Sequence, residues 1–588
     1  MRAGHRPLLA PLIAGLLLLP GLGAAAPAGT EGRAASANGL IVKFRDSIEG
    51  TAESRARFEQ ELARAGLTSR RVGARARHID FGRRLGHSEI APLVEQLQAS
   101  PHVEWVVPNE REQRLNVPQD PLFAASFAGS GQWWLFPAGG SNANDIEDRR
   151  RGVPGVQSAW QTTLGTGNAV IAVLDTGITA HPDLGAGVLP GRDFVSTVEY
   201  ANDGDGWDAD PADPGDWVSE ADRSANAALF GDCEVADSSW HGTVIAGLLA
   251  AETSNARGVA AINWNGRVLP VRVAGKCGAD VADIVTGMRW AAGLQVHDAG
   301  GRPVPLNPNP ARVLNISFGG SAACNAAYQD VIDELAGLGV VVVAAAGNQN
   351  AGVSRPANCR GVIGVGALNR DGFKSSYSNF GEALTISTVG GDPRLIGDWG
   401  IALGDDALLT VSNSGTTGLG FAGYAREAGT SFATPLVAGV IGLMLSVEPS
   451  LSAAQIMEGL RRSARPHVVS TKIAACSPSN PGRCICTTET CGAGILDAEA
   501  ALHFAANPTG YVAPARQPEV IDNIDVDDAV ALGLDRPANA GAAPPAAGED
   551  GGGGSLGAGW LLALAAAVAA LSCRRPRSRG PAPANAMR

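Results

Sequence analysis

The sequence predicts an α/β protein built on a mostly parallel sheet with helices on both faces, preceded by a smaller α/β domain. Continuously apolar segments of strand length recur through the middle of the chain, at 169–174, 313–317 and 340–346. Helix-like segments at 280–294 and 326–337 alternate with these strands. Such alternation is typical of a parallel sheet whose two faces are both covered by helices.

Composition and charge narrow the class of protein. The 588 residues are 45% hydrophobic and only 18% charged, and 76 are glycine, so we expect a large core and many turns. The formal net charge of −12 argues against nucleic acid as a partner.

Changes in composition predict five segments along the chain. Basic residues, a short apolar run and three alanines at the start are typical of a secretory signal peptide. The segments are a signal peptide at 1–26, a small α/β domain at 27–116, the main domain at 117–505, an Ala-, Pro- and Gly-rich linker at 506–555, and an apolar segment with a basic tail at 556–588.

The small domain is predicted to contain strands at 40–44 and 103–108 and helices at 54–65 and 90–98. It is rich in arginine, whereas the region that follows is acidic. One interpretation is an ordinary domain with a solvated basic face. The other is a detachable partner for the acidic region, because opposite charges favour such an association.

Polar residues follow several predicted strands of the main domain. Asp175 ends the first strand, the segment 317–320 follows a later one, and Asn348 follows the next. Parallel sheets hold their functional sites at the carboxyl ends of the strands. We therefore expect these residues at one edge of the sheet.

Ser431 stands where a loop turns into an apolar helix that runs to about Leu445. The free N–H groups and positive dipole at a helix start stabilise an anion there, which suits a nucleophile whose reaction creates an oxyanion. Pro435 is tolerated if it falls in the first turn. The alternative is that Thr430 or Ser431 only caps a buried helix.

Two further motifs precede this serine. Asp175-Thr176-Gly177 follows a strand, and His241-Gly242-Thr243 opens a helix of small residues. With Gly429-Thr430-Ser431-Phe432-Ala433-Thr434-Pro435 they give the chain order Asp, His, Ser. The chain from about 117 to 504 thereby resembles the subtilisin-like serine proteases, or subtilases.

The resemblance implies a subtilisin-like fold and a role for each matching residue. Ser431 is the nucleophile, His241 takes its proton and returns it to the leaving amine, and Asp175 orients the imidazole. Asn348 matches the amide that stabilises the oxyanion. The implied substrate-binding edge consists of Ser317, Phe318, Gly319 and Gly320, where an extended peptide pairs with the backbone.

The resemblance also implies that the small domain is an inhibitory propeptide, an intramolecular inhibitor that the enzyme removes from itself. The C-terminal segment, with glycines at 551–554, an apolar run and a basic end, resembles the Gly-Gly sorting tails of exported Gram-negative proteins, which a membrane protease cuts. A secreted protein held for a time at the membrane is therefore expected. A simple C-terminal anchor is the alternative.

An acidic loop at 202–217 contains six aspartates. Hard oxygen ligands in a glycine-rich turn suit calcium, and Asp203, Asp205 and Asp208 are the predicted ligands of a structural calcium ion. A solvated acidic loop is the alternative interpretation.

Eight of the nine cysteines lie between residues 233 and 491, and an even set in an exported region favours disulfides. We predict bridges between Cys324 and Cys359 and between Cys233 and Cys277. For the cluster of Cys476, Cys484, Cys486 and Cys491 the connectivity stays open, with a zinc site as the rival interpretation.

The predicted function is therefore a secreted serine endopeptidase that acts on proteins or peptides through an acyl-enzyme and is made as a self-processed zymogen. The alternative is a catalytically silent module of the same fold that binds peptides at the cell surface. Lipase or esterase activity lacks the G-x-S-x-G elbow that those hydrolases require.

Overall fold

A computed structural model describes residues 37–45, 60, 62–63, 67–73, 75–85, 87–99, 103–109, 116–124, 131–139, 149–393 and 399–534. The predicted signal peptide, most of the helix predicted at 54–65 and the apolar tail at 556–588 lie outside these residues. The chain divides into two compact units, Met1–Leu115 with Thr509–Pro514, and Asn116–Pro508 with Ala515–Arg588. The first border lies beside the one predicted at 116.

The first unit contains a four-stranded antiparallel sheet in the order β2-β3-β1-β4. Its elements are β1 Ala37–Phe44, β2 Thr68–Arg71, β3 Ala76–Leu85, α1 His87–Gln98 and β4 Val103–Pro108. The sequence analysis missed β2 and β3. The arginines on these strands interrupt the apolar pattern that would have predicted them. Ile79, Phe81 and Leu85 of β3 are nevertheless buried in the core of this unit.

The second unit contains a seven-stranded sheet in the order β11-β10-β9-β8-β5-β7-β6, and every neighbouring pair is parallel. Its strands are β5 Val170–Asp175, β6 Arg192–Asp193, β7 Arg267–Arg272, β8 Val313–Ile316, β9 Val341–Ala345, β10 Ile363–Leu368 and β11 Ile386–Val389. A separate antiparallel hairpin consists of β12 Leu408–Asn413 and β13 Ala422–Glu427.

Helices cover the sheet of the second unit on both faces, as predicted. The helices that the structure describes in this unit are α2 Val156–Ala159, α3 Val198–Ala201, α4 Glu220–Ala225, α5 Ala227–Phe230, α6 His241–Ala250, α7 Val281–Ala291, α8 Ala326–Gly337, α9 Gly400–Leu403, α10 Thr430–Val447, α11 Ala453–Ser463, α12 Ala498–Ala506 and α13 Ile524–Ala531. Of these, α6, α7, α8 and α10 contact the strands of the sheet. A short 3₁₀ helix spans Trp133–Leu135. Leu174 of β5 packs in a cluster with α7 and α8, whereas Ile171 lies against Gly442 of α10.

Helix α10 is the one helix among the described residues that is long and apolar enough to cross a membrane. It is buried along most of its length within the second unit and contacts strands β5, β8, β9, β10 and β11. It is therefore the core helix of this unit, and it begins at the predicted nucleophile.

The predicted linker at 506–555 begins too early. Residues 515–534 belong to the second unit, where Ile521, Val526 and Ala529 are buried beside Trp399. The few apolar side chains of this acidic segment pack into the second unit. The composition of the segment alone did not predict that packing.

Four disulfides link the eight cysteines between residues 233 and 491. Two are the predicted bridges, Cys233–Cys277 and Cys324–Cys359. The four cysteines whose pairing the sequence left open form the bridges Cys476–Cys484 and Cys486–Cys491. Because all four cysteines of that cluster are bridged, the zinc interpretation has no free thiolate ligands there.

Candidate active site

Asp175 and His241 meet at the carboxyl end of the parallel sheet. Strand β5 ends at Asp175 and α6 begins at His241, and His241 Nδ1 lies 2.8 Å from Asp175 Oδ1 and 3.0 Å from Oδ2. The Thr176 N–H also donates to Asp175 Oδ1, at 2.8 Å. Because Nδ1 points to the carboxylate, Nε2 is left to face a substrate, and within the described residues it has no hydrogen-bond partner.

Close backbone approach explains the glycine of the His-Gly-Thr motif. A Cβ atom on Gly242 would lie 2.2 Å from the carbonyl oxygen of Gly177 and 3.2 Å from Asp175 Cβ. The preceding Trp240 takes a left-handed conformation, with φ of 52°, and its indole N–H donates to the Gly415 carbonyl at 2.7 Å. Non-glycine residues in this conformation cluster at functional sites, so Trp240 fixes the start of α6 under local strain.

The imidazole of His241 lies among carboxylates. Burial by itself lowers the pKa of a histidine, but the charge and hydrogen bond of Asp175, together with the charges of Asp216 and Glu427, raise the pKa of His241 above its ordinary value. A histidine whose imidazolium is stabilised by a carboxylate suits general acid–base catalysis, because it can accept a proton and later return it.

Ser431 is the second residue of α10 and forms a reciprocal pair with Ser317. The Ser431 hydroxyl donates to the Ser317 carbonyl at 2.6 Å, and the Ser317 hydroxyl donates to the Ser431 carbonyl at 2.8 Å. The ring of the adjacent Phe432 lies 5.5 Å from the His241 ring, measured between centroids. The residue after Ser431 thus contacts the imidazole, while the Ser431 hydroxyl itself is hydrogen-bonded to Ser317.

Pro435 explains why the Ser431 carbonyl is available. The sequence placed Pro435 in the first turn, but it is the sixth residue of α10. A residue at this position would ordinarily donate its N–H to the carbonyl of Ser431, and proline has no N–H. The Ser317 hydroxyl takes the place of that donor.

Asn348 lies beside the start of α10 with its amide orientation fixed. Its Oδ1 accepts hydrogen bonds from the Thr430 N–H and hydroxyl, both at 2.9 Å. Its Nδ2 is therefore turned away from Thr430, and neither Nδ2 nor the Ser431 N–H has an acceptor among the described residues. Two unpaired donors beside the serine oxygen are what an oxyanion hole requires.

The predicted substrate-binding edge is shorter than the sequence indicated. The Ser317 side chain is buried, and the Gly320 N–H and carbonyl both pair with Arg355 at 3.0 Å. Only glycine fits at Gly319, because a Cβ there would lie 2.1 Å from the Arg355 carbonyl oxygen. The backbone groups of Phe318 and Gly319 have no partner within the described residues and are the part of this edge open to an extended peptide.

Asp203, Asp205 and Asp208 do not form one ligand set. Asp203 pairs with the buried Arg272 at 2.5 Å, and Asp208 accepts the Asp210 N–H at 2.8 Å. In the part of the chain that the structure describes, the only cluster of three or more His, Cys, Asp or Glu ligand atoms is formed by bridged cysteines. Structural calcium stays a prediction without assigned ligands, and a melting temperature unchanged by a chelator would count against it.

The far end of the same loop instead contacts the segments that flank Asp175 and His241, which the sequence analysis missed. Asp213 accepts the Thr176 hydroxyl at 2.6 Å, and that hydroxyl oxygen accepts the Gly242 N–H at 3.1 Å. Burial raises the pKa of Asp213 to about 7. One buried carboxyl thus joins the segment that follows Asp175 to the helix that begins at His241.

Asp216 supports the segment before His241. Its two oxygens accept the Ser239 N–H at 2.6 Å and the Ser239 hydroxyl at 2.7 Å. The Ser239 hydroxyl oxygen in turn accepts the His241 N–H at 3.3 Å. Burial raises the pKa of Asp216, and its charge acts on the imidazole.

Comparisons with known proteins agree with this arrangement. Residues 166–493 match the sequence profile described as the subtilase family. An extracellular protease of Xanthomonas campestris pv. campestris is 37% identical over 75% of this chain and 66% of its own length. An extracellular basic protease of Dichelobacter nodosus is 33% identical over 70% of this chain and 60% of its own length.

Among solved structures, a protease from Pseudoalteromonas arctica is similar in fold. It is 37% identical, with a TM-score of 0.54, and the match covers 66% of this chain and 99% of that structure. The chain spans slightly less than two thirds of the length of the two curated relatives.

Proposed function

Because the chain belongs to the subtilase family, we propose that it is a secreted serine endopeptidase that hydrolyses peptide bonds of proteins. Asp175, His241 and Ser431 form its catalytic triad, and Asn348 assists the oxyanion hole. The observation that carries the proposal is the 2.8 Å contact between Asp175 and His241 beside a serine at a helix start.

In the proposed reaction the Ser431 hydroxyl turns from the Ser317 carbonyl toward His241 Nε2. The imidazole takes the hydroxyl proton while Oγ bonds to the substrate carbonyl carbon, and Asp175 stabilises the imidazolium. The Asn348 amide and the Ser431 N–H donate to the oxyanion. His241 then protonates the leaving amine, and a water activated by the same imidazole hydrolyses the acyl-enzyme.

A fluorophosphonate probe tests this function because it reacts with an activated serine. We expect the mature protein to be labelled and to cleave a protein substrate, and Ser431→Ala to lose both properties. Ser224→Ala, in an exposed helix of the same unit, is the matched control. An unlabelled wild type, or labelling that persists in Ser431→Ala, would falsify the assignment.

The proposal includes maturation. Residues 27–116 act as the inhibitory propeptide, the signal peptide directs export, and a membrane protease removes the C-terminal tail. Purified Ser431→Ala is then expected to stay as the precursor, whereas wild type is cut after this propeptide. Mass spectrometry of both proteins reads the termini, and normal maturation of Ser431→Ala in the absence of other proteases would count against self-processing.

The intact site favours an active enzyme over a silent peptide-binding module. The active-enzyme proposal is supported by the hydrogen bond between Asp175 and His241 and by the Asn348 side chain held at the start of α10. Nothing observed favours the silent module.

A further inference from the structure

We propose that Asn379 is a positioning residue that holds the loop carrying Asn348 in the conformation needed for oxyanion stabilisation. This inference rests on the proposed function, because it acts through the proposed role of Asn348. Asn379 lies between β10 and β11, more than thirty residues from Asn348, and its side chain is almost completely buried, with 1% exposed.

The amide of Asn379 spans the loop on both sides of Asn348. Its Oδ1 accepts the Gln349 N–H and the Ala351 N–H, both at 2.9 Å. Its Nδ2 donates to the Ala346 carbonyl at 3.0 Å. The same Nδ2 lies 3.1 Å from Gln349 Oε1 and 3.2 Å from Ser354 Oγ, so its two hydrogens are fully used.

The backbone of Asn379 adds a further hydrogen bond to the same loop. Its N–H donates to the Gly347 carbonyl at 2.9 Å. Gly347 has a left-handed φ of 103°, and a Cβ there would lie only 2.4 Å from Asn379 Nδ2. The glycine before Asn348 is therefore required by the space that the Asn379 amide occupies.

Asn348 has few contacts of its own that would fix the loop. Its side-chain oxygen binds Thr430, and its backbone N–H lies 3.1 Å from Gln349 Oε1, a group that also accepts from Asn379. If the Asn379 side chain is removed, the Gln349 and Ala351 N–H groups lose their acceptor, whereas the Ala346 carbonyl keeps the Ser354 N–H. The two N–H groups must find other acceptors, which displaces the loop. A shift of about 1 Å in a catalytic group can reduce a rate about a hundredfold.

The first test compares Asn379→Ala with Asn369→Ala. Asn369 is buried in the same connecting segment and bonds the Phe373 N–H and the Leu403 carbonyl, but it does not contact the Asn348 loop. We expect Asn379→Ala to lower kcat about 10- to 100-fold with little change in KM, because the oxyanion exists only in the transition state. Asn369→Ala should lower the melting temperature with less than a twofold change in kcat.

A double-mutant cycle gives the decisive readout. If Asn379 acts through Asn348, Asn379→Ala reduces kcat in the wild type but changes it less than about twofold in the Asn348→Ala background. A purely structural role produces the same fractional loss in both backgrounds. Equal losses in the two backgrounds, or a kcat unchanged by Asn379→Ala, overturn the inference.

If Asn379→Ala does not fold, the same double-mutant cycle with Asn348→Ala is measured with Asn379→Ser instead. The shorter hydroxyl accepts one loop N–H but cannot bridge both, so an intermediate loss of kcat is expected, again absent when Asn348 is alanine. Active-site titration with the fluorophosphonate probe normalises kcat to folded enzyme. A wild type without peptidase activity contradicts the proposed function, whereas an active wild type with additive losses contradicts only the inference about Asn379.

Discussion

The two halves of the site are supported by different kinds of side chain. The base half consists of Asp175 and His241, whose flanking segments are held by the buried carboxyls of Asp213 and Asp216. Each of these supports can change its charge with pH, and burial raises the pKa of both.

The oxyanion half uses neutral amides. Asn348 is held by Thr430, and Asn379 holds its loop. None of these groups titrates in the working range of an enzyme. The comparison indicates that pH acts on proton transfer at His241 and leaves the oxyanion contacts unchanged, so variants in the two halves should differ in their pH profiles as well as in rate.

The largest effect is expected in the oxyanion half. Asn348→Ala should lower kcat about 10²- to 10³-fold, the loss known for the oxyanion-hole asparagine of subtilisin, a member of this family. The pH at which kcat/KM falls to half on the acid side should stay at the wild-type value, because the titrating groups of the base half are untouched. Steady-state kinetics between pH 5 and 9 measure both quantities. A displaced acid limb would mean that the two halves are coupled.

A smaller loss with a displaced pH profile is expected for Asp216→Asn. The amide nitrogen cannot accept from Ser239, so the start of α6 is held less well and kcat should fall about tenfold. The charge of Asp216 raises the pKa of His241, and its loss lowers that pKa. The acid limb of kcat/KM should therefore move to lower pH.

Asp210→Asn is the matched control for this variant, because Asp210 is an exposed aspartate of the same loop. It should leave both the rate and the acid limb unchanged. If the two variants behave alike, Asp216 has no special connection with His241 and the contrast between the halves fails.

The contacts made by the individual aspartates of the acidic loop could not be predicted from the sequence. Six aspartates lie within sixteen residues, and the first three were predicted to bind calcium because hard oxygen ligands in a glycine-rich turn suit that ion. Asp203 instead meets Arg272, and Asp213 meets Thr176, both through contacts that are remote along the chain. Which aspartate supports the site depends on tertiary packing, and no local pattern encodes it.

The central strands, and the position of Asp175 at the end of one of them, could be predicted for a physical reason. Strands covered on both faces are apolar throughout, and short motifs mark the places where they end. Asn379 has no such motif, because its role depends on hydrogen bonds to a loop about thirty residues away. The docking of residues 515–534 was missed for a similar reason, since a few apolar side chains such as Ile521 provide the contact.

The smallest effect concerns Glu427, which ends β13 four residues before Ser431. Burial raises the pKa of Glu427 to about 7, against the opposing charge of His241. Its ionised form favours the imidazolium, so Glu427→Gln lowers the pKa of His241 and leaves more neutral base at acid pH. The acid limb of kcat/KM should move down by less than about one pH unit, with kcat at pH 8 nearly unchanged. Glu448→Gln, just beyond the far end of α10, is the control, and an acid limb that does not move in Glu427→Gln would show that Asp175 and Asp216 alone set the charge on the base half.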